Sequence, residues 1–175
     1  GLDALDGWAQ SEAAEAPLQA IHTALFDNCQ GRAVVSLYEK DYGNGDAKMV
    51  WEEVIRFYEH FGLEFDVRVR KDWPDHIGTE LEFLHYLTFL EATSDAEDRP
   101  SYVQAEGDFL SRRLARWAGR FARQVGGLSQ PGPYGAIANL IEALTDAEMD
   151  LLGRERESLS PWVPMIEAGT GGLNA

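Results

Sequence analysis

Apolar residues recur along this chain every three or four positions, the spacing of an α-helix, and no stretch alternates as a strand would. From Trp8 to about Asn28 an alanine-rich run carries Leu18, Ile21, Leu25 and Phe26, with Pro17 in a first turn or at a break. Gly31–Gly45 reads as a linker holding Val34, Val35, Leu37, Tyr38, Glu39 and Tyr42. Asp46 then caps a helix striped by Val50, Val54, Phe57 and Phe61, with Trp51, Ile55 and Tyr58 beside that stripe and Gly62 ending it. The segment Lys71–Glu91 is predicted as the central helix. Asp72 can cap it, Pro74 fits its first turn, and apolar positions from Ile77 to Leu90 run nearly all round it.

Thr93–Arg99 is polar enough to be a loop, and Pro100 opens a helix predicted to reach Val125. Its core stripe is Leu110, Leu114, Trp117, Phe121 and Val125; Arg113, Arg116, Arg120 and Arg123 mark a solvated opposite face, and Gly126-Gly127 stops it. Tyr134, Ile137, Leu140, Ile141 and Leu144 predict a short helix, after which Thr145 and Glu148 form a capping box for a separate last helix. Residues 157–175 are a Pro- and Gly-rich tail, with Thr170–Ala175 expected to be poorly ordered. With no repeat and no interdomain linker, residues 1–175 are expected to form one all-α domain, a single-domain helical bundle.

Composition sharpens this in one respect. The chain has 175 residues, and its 15 Lys and Arg against 30 Asp and Glu leave a net charge of −15. Phosphates would meet a repulsive field, so nucleic acid is an unsuitable partner, whereas basic segments would be drawn in. Six arginines against two acids within residues 99–123 leave a local +4 and −19 for the rest. No apolar run approaches the ~18 residues that cross a bilayer, so no membrane insertion is expected. Cys29 is the single cysteine and cannot form an internal disulfide, which suits a reducing compartment.

Chemistry concentrates in Asp72-Trp73-Pro74-Asp75-His76-Ile77-Gly78-Thr79-Glu80-Leu81-Glu82-Phe83-Leu84-His85-Tyr86-Leu87. His76 and Glu80 are four apart and share a helix face, so a metal-dependent helical enzyme using His76, Glu80 and His85 is one reading. Intrahelical pairs and caps are the simpler one, since His22 and His60 sit in no Glu-x-x-His arrangement. No nucleophile elbow, phosphate loop or dinucleotide fingerprint supports catalysis. Tyr38, Tyr42, Trp73 and Tyr134 lie by Pro- and Gly-rich turns, where each ring either lines a groove or plugs the core beneath its loop. Aromatic rings among carboxylates would suit a peptide that is both apolar and basic, as a plain acidic adaptor protein would also offer.

Three segments together resemble one family. They are His22-Thr23-Ala24-Leu25-Phe26-Asp27 with Leu37-Tyr38-Glu39 and Tyr42-Gly43; Phe57-Tyr58-Glu59-His60-Phe61-Gly62-Leu63; and Trp73 through Leu87, with its Pro-Asp-His and Glu-Leu-Glu-Phe-Leu. In order and spacing, over Ile21 to Leu152, they are similar to the TorD/DmsD/NarJ-type redox enzyme maturation chaperones, and within them to the chaperones of type II DMSO reductase family enzymes. The resemblance implies a TorD-like, cytoplasmic, non-enzymatic protein without a cofactor or metal of its own. Its partner would be the apo catalytic (molybdopterin) subunit of a DMSO reductase family enzyme. It would keep that subunit competent for molybdenum cofactor insertion and, by covering a twin-arginine signal peptide, delay export. It places Pro74, Asp75 and His76 on the family's Pro-x-Asp-His-like element and Tyr38 and Glu39 on its Tyr-Glu loop. With the acidic surface, the match leads us to expect a cargo groove over the Tyr38–Tyr42 loop and the Asp72–Glu82 region, adding Tyr42, Trp73, Glu80 and Glu82 as partner-binding residues. Two departures stand out: Pro74 and Asp75 are adjacent where some members insert a residue, and Trp73 replaces a smaller or acidic residue. Family members also carry more helical sequence ahead of Ile21–Phe26 than residues 1–20 supply.

Overall fold

A computed structural model describes residues 15–27, 33–43, 45–129 and 131–159. Its helices are α1 (Glu15–Phe26), α2 (Ala47–His60), α3 (Val67–Arg70), α4 (Ile77–Thr93), α5 (Arg99–Arg112), α6 (Ala118–Gly126) and α7 (Pro133–Leu159). Short 3₁₀ turns lie at Glu39–Asp41 and Leu114–Arg116. Among the described residues no strand forms, and an isolated antiparallel bridge joins Tyr38 to His76. The architecture is the expected all-α bundle. Also among the described residues, no helix is long and apolar enough to cross a membrane.

Helix α5 packs between α4 and α7, and α6 lies along α7. One part of the core joins Leu110, Leu114, Trp117, Phe121 and Val125 to Ala138 and Leu152 of α7 and to Val35, Tyr42 and Ile77. The other joins Val54 and Tyr58 of α2 to Phe83 and Leu87 of α4 and Phe109 of α5. Burying each of these larger side chains contributes roughly 1.5–3 kcal/mol, so the stripes read from the sequence are what hold the helices together. Local signals behave as expected at both ends of α2. The Asp46 side chain accepts from Lys48 N at 3.0 Å, and Gly62, at φ +72°, takes the left-handed conformation that closes the helix. Pro17 falls in the first turn of α1.

Three boundaries differ from expectation. The predicted Lys71–Glu91 helix begins at Ile77, capped by His76 rather than Asp72, because residues 72–76 are drawn into contacts with the Tyr38 loop. Ahead of it sits the short α3, which ends at Lys71 in the left-handed region (φ 58°). The predicted Pro100–Val125 helix breaks at Arg113 (φ −117°, ψ −97°), and Arg113 is buried there rather than on a solvated arginine face. Thr145 opens no helix: its hydroxyl donates to Ile141 O at 2.7 Å, so its own hydroxyl is satisfied inside the continuous α7. Residues 1–14 of the predicted first helix, Cys29 and the tail from 160 onward, including Thr170–Ala175, lie outside the described residues.

A second polar cluster sits where α4, α5 and α7 meet. Glu106 is 0% exposed, faces Glu91 of α4 and Glu148 and Glu155 of α7, and is pushed up to about 8, first by burial and then by those like charges. Arg99 bridges Glu91 and Glu155 at 2.6 and 3.3 Å. Because the folded pKa lies above the usual 4.5, Glu106 favours the fold most below that value, and the contribution is lost as pH rises through about 8. Glu106→Gln should therefore be more stable than wild type at pH 9, on the order of 2 kcal/mol, and differ little at pH 4.5. Urea unfolding at the two pH values checks this; an equal difference at both would contradict it.

Candidate functional site

The linker segment 33–43 is shaped by short-range polar contacts. Tyr42 donates its hydroxyl to Ser36 O at 2.6 Å, and Tyr38 N donates to Ser36 Oγ at 3.1 Å. The loop is fastened to the start of α4 by two backbone bonds, Glu39 N to Asp75 O (3.0 Å) and Ile77 N to Leu37 O (2.9 Å). These flank the Tyr38–His76 bridge and bring together two sequence segments that were read as parts of one site.

Beneath the bridge lie three buried carboxyl groups. Asp75 is 0% exposed and accepts from Trp51 Nε1 at 2.7 Å and from Lys40 N at 3.0 Å; burial raises its pKa and those donors hold it back. Glu80, also 0% exposed, accepts from Trp117 Nε1 at 3.1 Å. Burial, then the negative charge of Glu39, push its carboxyl well above the usual range. Glu39 is raised by burial and drawn back by Arg113, whose guanidinium lies 3.5 Å from Glu39 and 3.2 Å from Glu53. Because each carboxyl raises or lowers the other, the buried pair favours one neutral member, Glu80.

Above the bridge lies a surface of rings. Trp73, 41% exposed, stacks on Trp51 with centroids 4.2 Å apart and planes 6° from parallel. Tyr38 meets the His76 ring edge-on at 5.3 Å, and Lys40 Nζ lies 5.4 Å from the Tyr38 centroid. Tyr38 donates to Asp72 Oδ1 at 2.8 Å; burial first and then this bond raise its pKa to about 12. Asp72 also accepts from Trp73 N at 2.8 Å. His76 Nδ1 accepts from Gly78 N at 3.1 Å, and a Cβ at position 78 would sit 3.2 Å from that nitrogen, so glycine suits the cap. Tyr58 donates to Pro74 O at 2.9 Å and anchors the turn from below.

The expected site residues thus divide by depth. Tyr38, Trp73 and His76 form the surface; Glu39, Asp75 and Glu80 lie inside, with Pro74 and Tyr42 buried beside them. Glu82 stands apart on exposed α4, paired with Arg70 at 2.7 Å. The arrangement gives no metal-enzyme centre: Glu80 faces Trp117, His76 Nδ1 is used by the cap, and His85 is exposed. Among the described residues, no three His, Cys, Asp or Glu side chains converge as metal ligands. Sequence reasoning missed Trp51, Trp117 and Arg113 as partners of the buried carboxyls. Their signal was indirect: acids inside apolar helices require donors, and indole N–H groups on neighbouring stripes are the available kind.

The profile of the nitrate reductase delta subunit family matches residues 1–123, which contain the bridge, the buried carboxyls and the rings. The chain belongs to that family. It is 38% identical over 136 residues to the selenate reductase assembly chaperone protein of Thauera selenatis, covering 72% of this chain and 67% of the relative. To the chlorate reductase assembly chaperone protein of Ideonella dechloratans it is 34% identical, covering 62% of this chain and 57% of the relative. To the perchlorate reductase assembly chaperone protein of Dechloromonas aromatica (strain RCB) it is 31% identical, covering 56% and 44%. The chain thus spans two thirds of the first relative's length and about half of the other two. No solved structure matches. The resemblance to TorD/DmsD/NarJ-type maturation chaperones, closest to those of type II DMSO reductase family enzymes, is borne out. These relatives are named as chaperones and not as catalysts, in keeping with a non-enzyme.

Asp75→Ala should cost about 2–3 kcal/mol, because it strands the Trp51 and Lys40 N–H groups in the interior. Asp72→Ala, at the rim, should cost less than about 1 kcal/mol. Denaturant unfolding followed by tryptophan fluorescence measures both, and equal losses would contradict the division by depth.

Proposed function

We propose that this chain is an assembly chaperone for a molybdoenzyme reductase of the type II DMSO reductase family, acting in the cytoplasm. It binds the apo catalytic subunit, keeps it open until the molybdenum cofactor is inserted, and delays export by covering a twin-arginine signal peptide. The observation that carries this reading is the 38% identity to the selenate reductase assembly chaperone protein. The geometry agrees with it. A flat tryptophan stack, a tyrosine and a histidine stand on a rigid base of buried hydrogen bonds, and an acid-rich chain surrounds them. Such a face suits a segment with both apolar and basic side chains, and the whole chain's −15 charge speeds encounter at low salt. Tyr38, Trp73 and His76 make direct contact in this account. Glu39, Tyr42, Pro74, Asp75 and Glu80 act by holding those rings in place, and Glu82, apart from the rings, supplies negative charge on the surface of α4.

Calorimetry with the catalytic subunit prepared without its molybdenum cofactor tests the proposal. Binding should be clearly tighter to the unloaded than to the loaded subunit. Trp73→Ala should weaken it about tenfold, the loss expected for an exposed aromatic anchor, while loss of its stack on Trp51 costs the fold only about 1 kcal/mol. Equal affinity for loaded and unloaded subunits would overturn the reading.

A further inference from the structure

Away from the ring surface, the body of the bundle has a cavity of about 300 Å³ between the end of α2, α3 and α4. Its apolar wall is Tyr58, Phe65, Phe83 and Tyr86, and Glu64 and Glu82 stand at its edge. One cation of the chain already lines it: Arg70, whose Nη2 donates to Glu82 Oε2 at 2.7 Å. Aromatic faces with carboxylates at their edge are the surroundings a guanidinium prefers, since it stacks on rings while pairing with carboxylate.

We propose that this cavity is an arginine-binding subsite for the client and that Arg70 is its internal placeholder, displaced when a client arginine pairs with Glu82. This rests on the chaperone reading above. Two acids against one arginine leave the lining net negative, so an incoming guanidinium gains a partner without needing a new charge. Releasing Arg70 costs little. Both members of its pair are exposed, and pairs of that kind are weak. Arg70 is also the last residue of a four-residue helix, followed by Lys71 in the left-handed conformation that a lysine rarely holds, so the segment carrying it is short and ends on a strained residue. The same geometry sets the affinity low while Arg70 is in place, which suits a client that must leave.

The test measures fluorescence anisotropy of a labelled alanine-rich decapeptide bearing two adjacent arginines, beside the same peptide with citrulline at both positions. Wild type, Arg70→Ala and Glu82→Gln are compared, all as the full chain; both substitutions are on the surface and should leave unfolding curves unchanged. Arg70→Ala should bind the arginine peptide about three- to five-fold more tightly, because the competitor is gone, and Glu82→Gln should bind about five-fold more weakly. The citrulline peptide should bind no variant. A purely structural ion pair would move both variants in the same direction, and that result, or equal binding of the citrulline peptide, overturns the proposal. Dimerisation of Arg70→Ala without a gain for the peptide would assign the cavity to a second copy of the chain and overturn it as well. The same variants are then measured against the unloaded subunit. Loss of subunit binding by wild type removes the chaperone reading and with it the client arginine, whereas intact binding with no opposed response of the two variants removes the cavity assignment alone.

Discussion

The packing of the 33–43 loop against α4 depends on placing three carboxyl groups, Glu39, Asp75 and Glu80, in the interior and giving each a donor. An unpaired buried carboxylate would cost several kcal/mol, more than any one helix contact returns. Here Asp75 takes the Trp51 indole N–H and a backbone N–H, Glu80 takes the buried Trp117 indole, and Glu39 takes Arg113. Those donors come from α2, the 33–43 loop, the break between α5 and α6, and α6's own start. One polar network therefore fixes four pieces of chain against α4.

Its consequence is added rigidity in the 33–43 loop, beyond what the burial of Val35 and Tyr42 supplies. The two backbone bonds beside the Tyr38–His76 bridge form only if Glu39 and Asp75 stay inside. With both inside, Tyr38, His76 and Trp73 are presented outward on a fixed base, and the stacked Trp51 carries Trp73 from below. A surface that is ordered before binding loses little entropy when a flexible client segment docks. On the proposed reading the buried acids serve client binding at one remove, and their substitution reports on folding as much as on the client.

Much of this was legible in the residues. The 3.6-residue period gave the helices, Asp46 and Gly62 marked the ends of α2, and the Tyr-Glu and Pro-Asp-His pieces pointed to two segments that the fold does bring together. What was hidden follows from tertiary demands that override local signals. Arg113 looked like part of an exposed stripe because nothing nearby in sequence shows that it pairs with Glu39 and Glu53, or that the helix breaks at this residue. Thr145 looked like a cap because capping boxes are recognised by spacing, whereas its hydroxyl closes back on Ile141. Asp72 and Asp75 were indistinguishable as neighbouring acids, although one is at the rim and the other sealed inside.

Amide hydrogen exchange of the full chain, free and with the unloaded catalytic subunit, addresses the central claim most directly. In the free protein the Glu39 and Ile77 amides should exchange slowly, as members of the core, while Trp73 and the turn around it exchange fast. Adding the subunit should slow residues 70–76 and the 36–42 loop together. Fast exchange at Glu39 and Ile77 in the free chain, or protection confined to the far side of α7, would contradict the account.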